Sequence, residues 1–216
     1  MPRLASAIAW IGAAAWLAAV AGGFAFLLRY KNTPGQAGGA APELWPAGSA
    51  IARTAGRATL LLFAHPRCVC TRASLAELNK MMASFQGRLD AKVLFWMPRD
   101  APADWSSGDL WTSAAHIPGV AVTRDEDGRE ASRFGVATSG GVVLYDGSGR
   151  LLFQGGITQS RGHEGDSFGE ERIVSLLTTG AADRADAPVF GCALNQEPPV
   201  RVARAGATST QKEGEK

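Results

Sequence analysis

One stretch constrains this chain more than any other: residues 59–89, TLLLFAHPRCVCTRASLAELNKMMASFQGRL. It opens on an uninterrupted apolar run, Leu60-Leu61-Leu62-Phe63, short enough to be a buried strand. The turn His65-Pro66-Arg67 follows, then Cys68-Val69-Cys70. Apolar side chains recur at Leu75, Leu78, Met82, Phe85 and Leu89, close to helical spacing, and Thr71 or Ser74 could cap that helix. Two cysteines therefore stand where a buried strand hands over to a helix N-terminus. Free backbone N–H groups and the helix dipole there stabilise a thiolate. A cysteine that only fills space does not need that position, so the stretch predicts redox or metal chemistry.

The rest of the chain follows from this strand–helix unit. Strand 58–64 and helix 71–86 lead to a second strand, 91–97, ended by Pro98. A helix is expected at 104–116, holding Trp105, Trp111 and His116, the last in a structural role. A strand at 120–123 and a short helix at 129–134 follow. Residues 141–145 and 150–154 read as a hairpin around Asp146-Gly147-Ser148-Gly149. A last helix covers 168–177. The order β-α-β-α-β-α-β-β-α calls for an α/β domain, 44–180, with a mixed sheet and helices on both faces. Residues 31–43, rich in Gly, Pro and Ala, read as a linker. From 181 onward periodicity is lost, and 181–216 is expected to be a largely disordered extension.

Net charge is +2, so composition gives no argument for nucleic acid. Three cysteines, Cys68, Cys70 and Cys192, are too few for a disulfide scaffold. The N-terminus carries a membrane signal: from Leu4 to Leu28 no residue is charged. At about 1.5 Å per residue that run exceeds a hydrocarbon core of about 30 Å. Residues 1–30 are thus a transmembrane anchor or a signal. Ala19-Val20-Ala21 could be a cleavage site, but the apolar run continues to Leu28, longer than a signal core, which favours an uncleaved anchor. Arg3 balances Arg29 and Lys31, so charge alone does not orient the segment.

FAHPRCVC followed by a helix resembles the active site of thioredoxin-fold proteins. The stretch TRDEDGREASRFGVATSGGVVLYDGSGRLLFQGGIT, 123–158, is similar to the second half of TlpA/ResA-type proteins, and the motif set resembles the small branch labelled RedB. The resemblance spans 44–180. It implies a thioredoxin-like domain and a membrane-tethered, extracytoplasmic thiol-disulfide oxidoreductase acting on protein thiols or disulfides. A bacterial inner membrane is implied, with the soluble domain facing the periplasm or cell exterior. The chain departs from the family at two points. The family has C-x-x-C where this chain has C-x-C, and a cis-proline where this chain has Gly140.

A Cys68–Cys70 bridge would close a small, strained ring with a raised reduction potential, more isomerase-like or oxidising than reducing. Alternatively one cysteine attacks alone. Cys68 with Thr71 makes a C-x-x-T pattern in which a hydroxyl replaces the second thiol. Anchoring on Ala64 instead puts Arg67 at the first-cysteine position and Cys70 at the second. His65, three residues before Cys68, could stabilise a thiolate, carry a proton, or be a turn residue. Arg67 and Arg72 could lower thiol pKa values by charge, or be solvated turn residues.

The loop 155–166, GGITQSRGHEGD, joins the last strand to the last helix; the resemblance implies that it lies beside the cysteines. His163 with Cys68 and Cys70 would make a soft ligand set for copper, in outline similar to Sco-type copper chaperones, though their cysteine spacing is wider. Otherwise the loop caps a helix, and the pattern calls for no cofactor. Cys192, in Val189-Phe190-Gly191-Cys192-Ala193-Leu194, could reach back as a resolving thiol or be a buried apolar residue. With no basic neighbour in sequence, it is expected to be the slow thiol, dispensable for redox cycling.

Overall fold

A computed structural model describes residues 2–102 and 104–195 of the 216. Helix α1, Pro2–Lys31, precedes the domain. Its segment Ser6–Lys31 has a mean hydropathy of 2.0, none of it buried, and is long and apolar enough to cross a membrane.

Strand β1, Ala58–Ala64, is the centre of the sheet. Leu60, Leu61, Leu62 and Ala64 are fully buried, as a strand covered on both faces must be. Helix α2, Thr71–Ser84, carries the chain across to β2, Leu89–Met97, which pairs parallel to β1. Helix α3, Asp109–Ala115, leads to β3, Val120–Glu126, parallel to β2. Helix α4, Arg129–Arg133, then returns the chain to the other side of β1. There β4, Gly141–Tyr145, pairs antiparallel with both β1 and β5, Leu151–Gly156. Helix α5, Phe168–Thr179, follows, capped by Ser167, whose hydroxyl accepts from the Glu170 N–H. The sheet order is β3-β2-β1-β4-β5.

Alternation along β1 divides the core. Leu60 and Leu62 face Leu75, Leu78, Met81 and Met82 of α2, Leu110 of α3 and Ile173 of α5. Leu61 and Phe63 face Ala131 of α4, Phe134, Tyr145 and Trp96. Each large apolar side chain so buried contributes about 1.5–3 kcal/mol.

Four parts of the chain differ from expectation. The helix expected at 104–116 is only α3, because turns at Trp105 and Ser107 precede it, their N–H groups donating to Pro102 and Asp104 carbonyls. Those turns carry Trp105 to the rings of His65 and Trp96. Helix α2 stops at Ser84, and Leu89 belongs to β2, after a turn with Gly87 at φ 75°. The stretch 31–43 is laid along the domain: the Gly35 N–H donates to the Val189 carbonyl, the Gln36 carbonyl accepts from Thr138 Oγ1, and Gln154 binds Gly39 and Ala41. Of the extension expected to be largely disordered, 181–195 packs on the domain, with Leu194 in the core. Residues 196–216 lie outside the described residues.

Candidate functional site at the start of helix α2

The chain leaves β1 through two short turns. The Cys68 N–H donates to the His65 carbonyl, and the Thr71 N–H to the Cys68 carbonyl. Cys70 is the N-cap residue, in right-handed helical conformation and without a side-chain capping bond; neither Thr71 nor Ser74 fills that role. Ser139 secures the turn: its hydroxyl accepts from the His65 N–H at 2.8 Å and lies 2.8 Å from the Thr71 hydroxyl. Thr71 also donates to the His65 carbonyl at 3.3 Å. Its hydroxyl thus helps to hold the turn. Gly140, at φ 88°, donates its N–H to the Phe63 carbonyl; a Cβ there would lie 2.8 Å from Ser74 Oγ. The residue at the family's proline position therefore sits against the first turn of α2.

Cys192 comes to the same point from the far end of the domain. Its sulfur lies 3.0 Å from the sulfur of Cys68, in hydrogen-bonding contact, and both cysteines are free. Cys68 is 1% exposed and Cys70 6%. Hydrogen bonding from Cys192, then from Cys70, pulls the Cys68 thiol well below the usual thiol range against the opposing effect of burial. The bond to Cys68, then that to Cys70, and burial push Cys192 well above it. Across this one contact Cys68 is held toward the thiolate and Cys192 toward the protonated thiol. Cys70 is raised: its bond with Cys192 acts downward, but its bond with Cys68, burial and the negative charge of Cys68 outweigh it.

The basic neighbours are not the ones nearest in sequence. Arg72 pairs with Asp109 on the surface, and Arg67 lies over the Trp105 ring, 4.8 Å from its centroid. The charge that bears on Cys70 is that of Arg161, whose guanidinium also donates to the Gly191 carbonyl. Sequence spacing could not reveal this, since Arg161 and Cys192 come together only through loop packing.

His65 is 3% exposed, stacked on Trp96 with centroids 5.4 Å apart. Its Nδ1 accepts from the Arg67 N–H, and Nε2 is buried with no hydrogen-bond partner among the described residues. Burial holds its pKa low, partly countered by the Cys68 thiolate, so the ring is neutral. Among the described residues, His163 hydrogen-bonds only through its backbone N–H, to the Ser160 carbonyl. Among the described residues no three His, Cys, Asp or Glu side chains are gathered to hold a metal ion. The copper alternative loses the ligand set on which it stood.

A βαβ crossover with the cysteines at the start of its helix, then an antiparallel hairpin and a closing helix, decides the fold. The domain is thioredoxin-like. No family model matches the chain, and no curated protein does. Among solved structures, a hypothetical protein from Sinorhizobium meliloti is similar at 19% identity, over 75% of this chain and 95% of that one, with TM-score 0.56. An uncharacterized conserved protein from Geobacillus kaustophilus matches at 17% identity, over 78% and 95%, with TM-score 0.55. A putative thiol:disulfide interchange protein DsbE from Chlorobium tepidum overlaps less well, at 20% identity over 67% and 96%, with TM-score 0.43. These likenesses concern the thioredoxin-like fold alone.

Proposed function

We propose that the protein is a membrane-tethered thiol-disulfide oxidoreductase of the TlpA/ResA type, in the RedB-like branch. Its helix α1 anchors it in a bacterial inner membrane, and its domain faces the periplasm or cell exterior. The observation that carries this reading is the contact between the sulfurs of Cys68 and Cys192, 3.0 Å apart at the N-terminus of α2. A thiolate there, with a protonated thiol in contact, is the starting arrangement for thiol-disulfide exchange. Cys68 is the attacking sulfur. Cys70, at the N-cap, stabilises it by hydrogen bonding. His65 shapes the turn as a neutral ring and keeps positive charge away from the buried site. The partners are protein thiols or disulfides, and an oxidising compartment suits a cycling disulfide.

The test uses the full chain in detergent micelles, equilibrated in glutathione buffers of graded potential and assayed for insulin-disulfide reduction and for glutathione exchange. The expected result is a reversible two-electron transition that Cys68→Ser abolishes. A protein whose thiols stay free at every potential, or whose Cys68→Ser variant cycles normally, would end this reading. A fusion after Lys216 to a reporter active only in an oxidising compartment checks the location, and activity confined to the cytoplasm would overturn it.

A further inference from the structure

Residues 188–194 lie across the cysteine turn as a strap. The Ser139 N–H donates to the Cys192 carbonyl at 2.8 Å, and the Leu194 N–H to the Ala137 carbonyl at 2.9 Å. Thr138 and Ala193 form an antiparallel bridge between these two bonds. At its other end, the Val189 carbonyl accepts from Gly35. Gly191 passes so close to Ser139 that a Cβ there would run into the Ser139 carbonyl. The strap is thus a short added strand, and its register sets Cys192 on Cys68. With the strap in place the attacking sulfur is 1% exposed, so no protein disulfide can reach it.

We propose that this strap is a built-in gate whose Cys192 is the resolving thiol, so that the redox disulfide forms between Cys68 and Cys192 rather than between Cys68 and Cys70. The proposal rests on the redox reading above. When the strap lifts, the Cys68 thiolate attacks one sulfur of a partner protein's disulfide. That S–S bond breaks, a mixed disulfide forms, and one partner sulfur leaves as thiolate. The strap then returns to 137–139, and Cys192, losing its proton to solvent, attacks the Cys68 sulfur. The mixed disulfide breaks, the second partner sulfur leaves, and the Cys68–Cys192 bond remains. Two electrons pass from the two cysteines to the partner's disulfide. A dithiol protein restores the thiols by the reverse steps. Cys70 stays a thiol throughout. Leaving the small C-x-C ring open avoids its strain.

Three full-length proteins test this: wild type, Cys192→Ser and Gly191→Val, which keeps every thiol but cannot seat the strap. Each is oxidised with glutathione disulfide and its linkages mapped by peptide mass spectrometry. Each is also reduced and labelled with iodoacetamide. The wild type should give a Cys68–Cys192 linkage and slow labelling of Cys68. In Gly191→Val that linkage should fall, and Cys68 should label at least about tenfold faster. Cys192→Ser, close in size, should trap glutathione on Cys68. A wild-type Cys68–Cys70 linkage with exchange intact would overturn the strap and leave the redox reading standing. So would Cys68 labelling unchanged in both variants. Absence of any exchange in the wild type would remove the redox reading, and the strap with it.

Discussion

Two segments deliver a cysteine to one point, and they are held in opposite ways. The turn 65–71 is rooted at both ends in regular structure, between β1 and α2, and all its side chains but Arg67 and Val69 are buried. Its hydrogen bonds run through fixed hydroxyls, Ser139 and Thr71. The strap 188–194 is held chiefly by backbone bonds to other irregular segments, 137–139 and Gly35, and only Leu194 among its large side chains enters the core. The difference teaches that one sulfur is fixed by the fold while the other rests on contacts weak enough to exchange. A site that must open to a protein partner needs both kinds.

The contrast can be broken first at its rigid side. Leu78 is fully buried on α2, and Leu78→Ala should destabilise the domain by about 2–5 kcal/mol in chemical denaturation. Val189→Ala in the strap should cost under about 1 kcal/mol in the same measurement. Equal costs would show the strap to be part of the core. Next is the hydroxyl that secures the turn. Ser139→Ala leaves the buried His65 N–H without its acceptor, and a loss of about 1–3 kcal/mol is expected. Since the strap bonds the Ser139 backbone, the Cys68–Cys192 linkage should still form in this variant.

Two smaller effects are read from pH. Burial keeps His65 neutral with its pKa below the ordinary value, so the unfolded chain binds a proton more readily. Stability should be full above about pH 6.5 and fall as pH drops below it, until the depressed folded value is reached. His65→Gln should flatten that slope in melts taken between about pH 7 and 5. An unchanged slope would place the acid sensitivity elsewhere. Glu170 behaves in the opposite sense. Burial, then the charge of nearby Glu77, raise it to about 7, so the folded state binds the extra proton below that value. Its contribution is present at low pH and lost as pH rises through about 7. Glu170→Gln should therefore raise the Tm at pH 8 by about 1–2 °C and leave it unchanged at pH 4.

The same contrast explains what the sequence could tell. The rigid segment was legible because each of its parts leaves a local mark: an apolar run for β1, helical spacing for α2, turn residues and thiols between them. The hairpin of β4 and β5 was legible for the same reason. The strap leaves no period, because its partners are other loops and its register is set by backbone bonds. Its trace lies in glycines. Gly155 and Gly156 of β5 have the 187–189 backbone against them, and Gly191 has Ser139. Glycines in places where no turn needs them mark close backbone approach. Arg161 was visible only as one polar residue in a glycine-rich loop. The basic neighbours chosen by sequence proximity, Arg67 and Arg72, turn away to Trp105 and Asp109.

Arg161 ties together parts of the chain that otherwise share little. Its N–H donates to the Lys31 carbonyl at the end of α1, its guanidinium lies over Tyr30 and donates to the Thr33 carbonyl, and it also holds the Gly191 carbonyl of the strap. One side chain therefore spans the foot of the apolar helix and the lid of the thiol site. Movement of the helix foot would act on that guanidinium, which also holds the residue beside Cys192. The linkage works as a lever: a turn of the helix foot would be felt at the sulfur contact, and release of the strap would be felt in the angle of the helix.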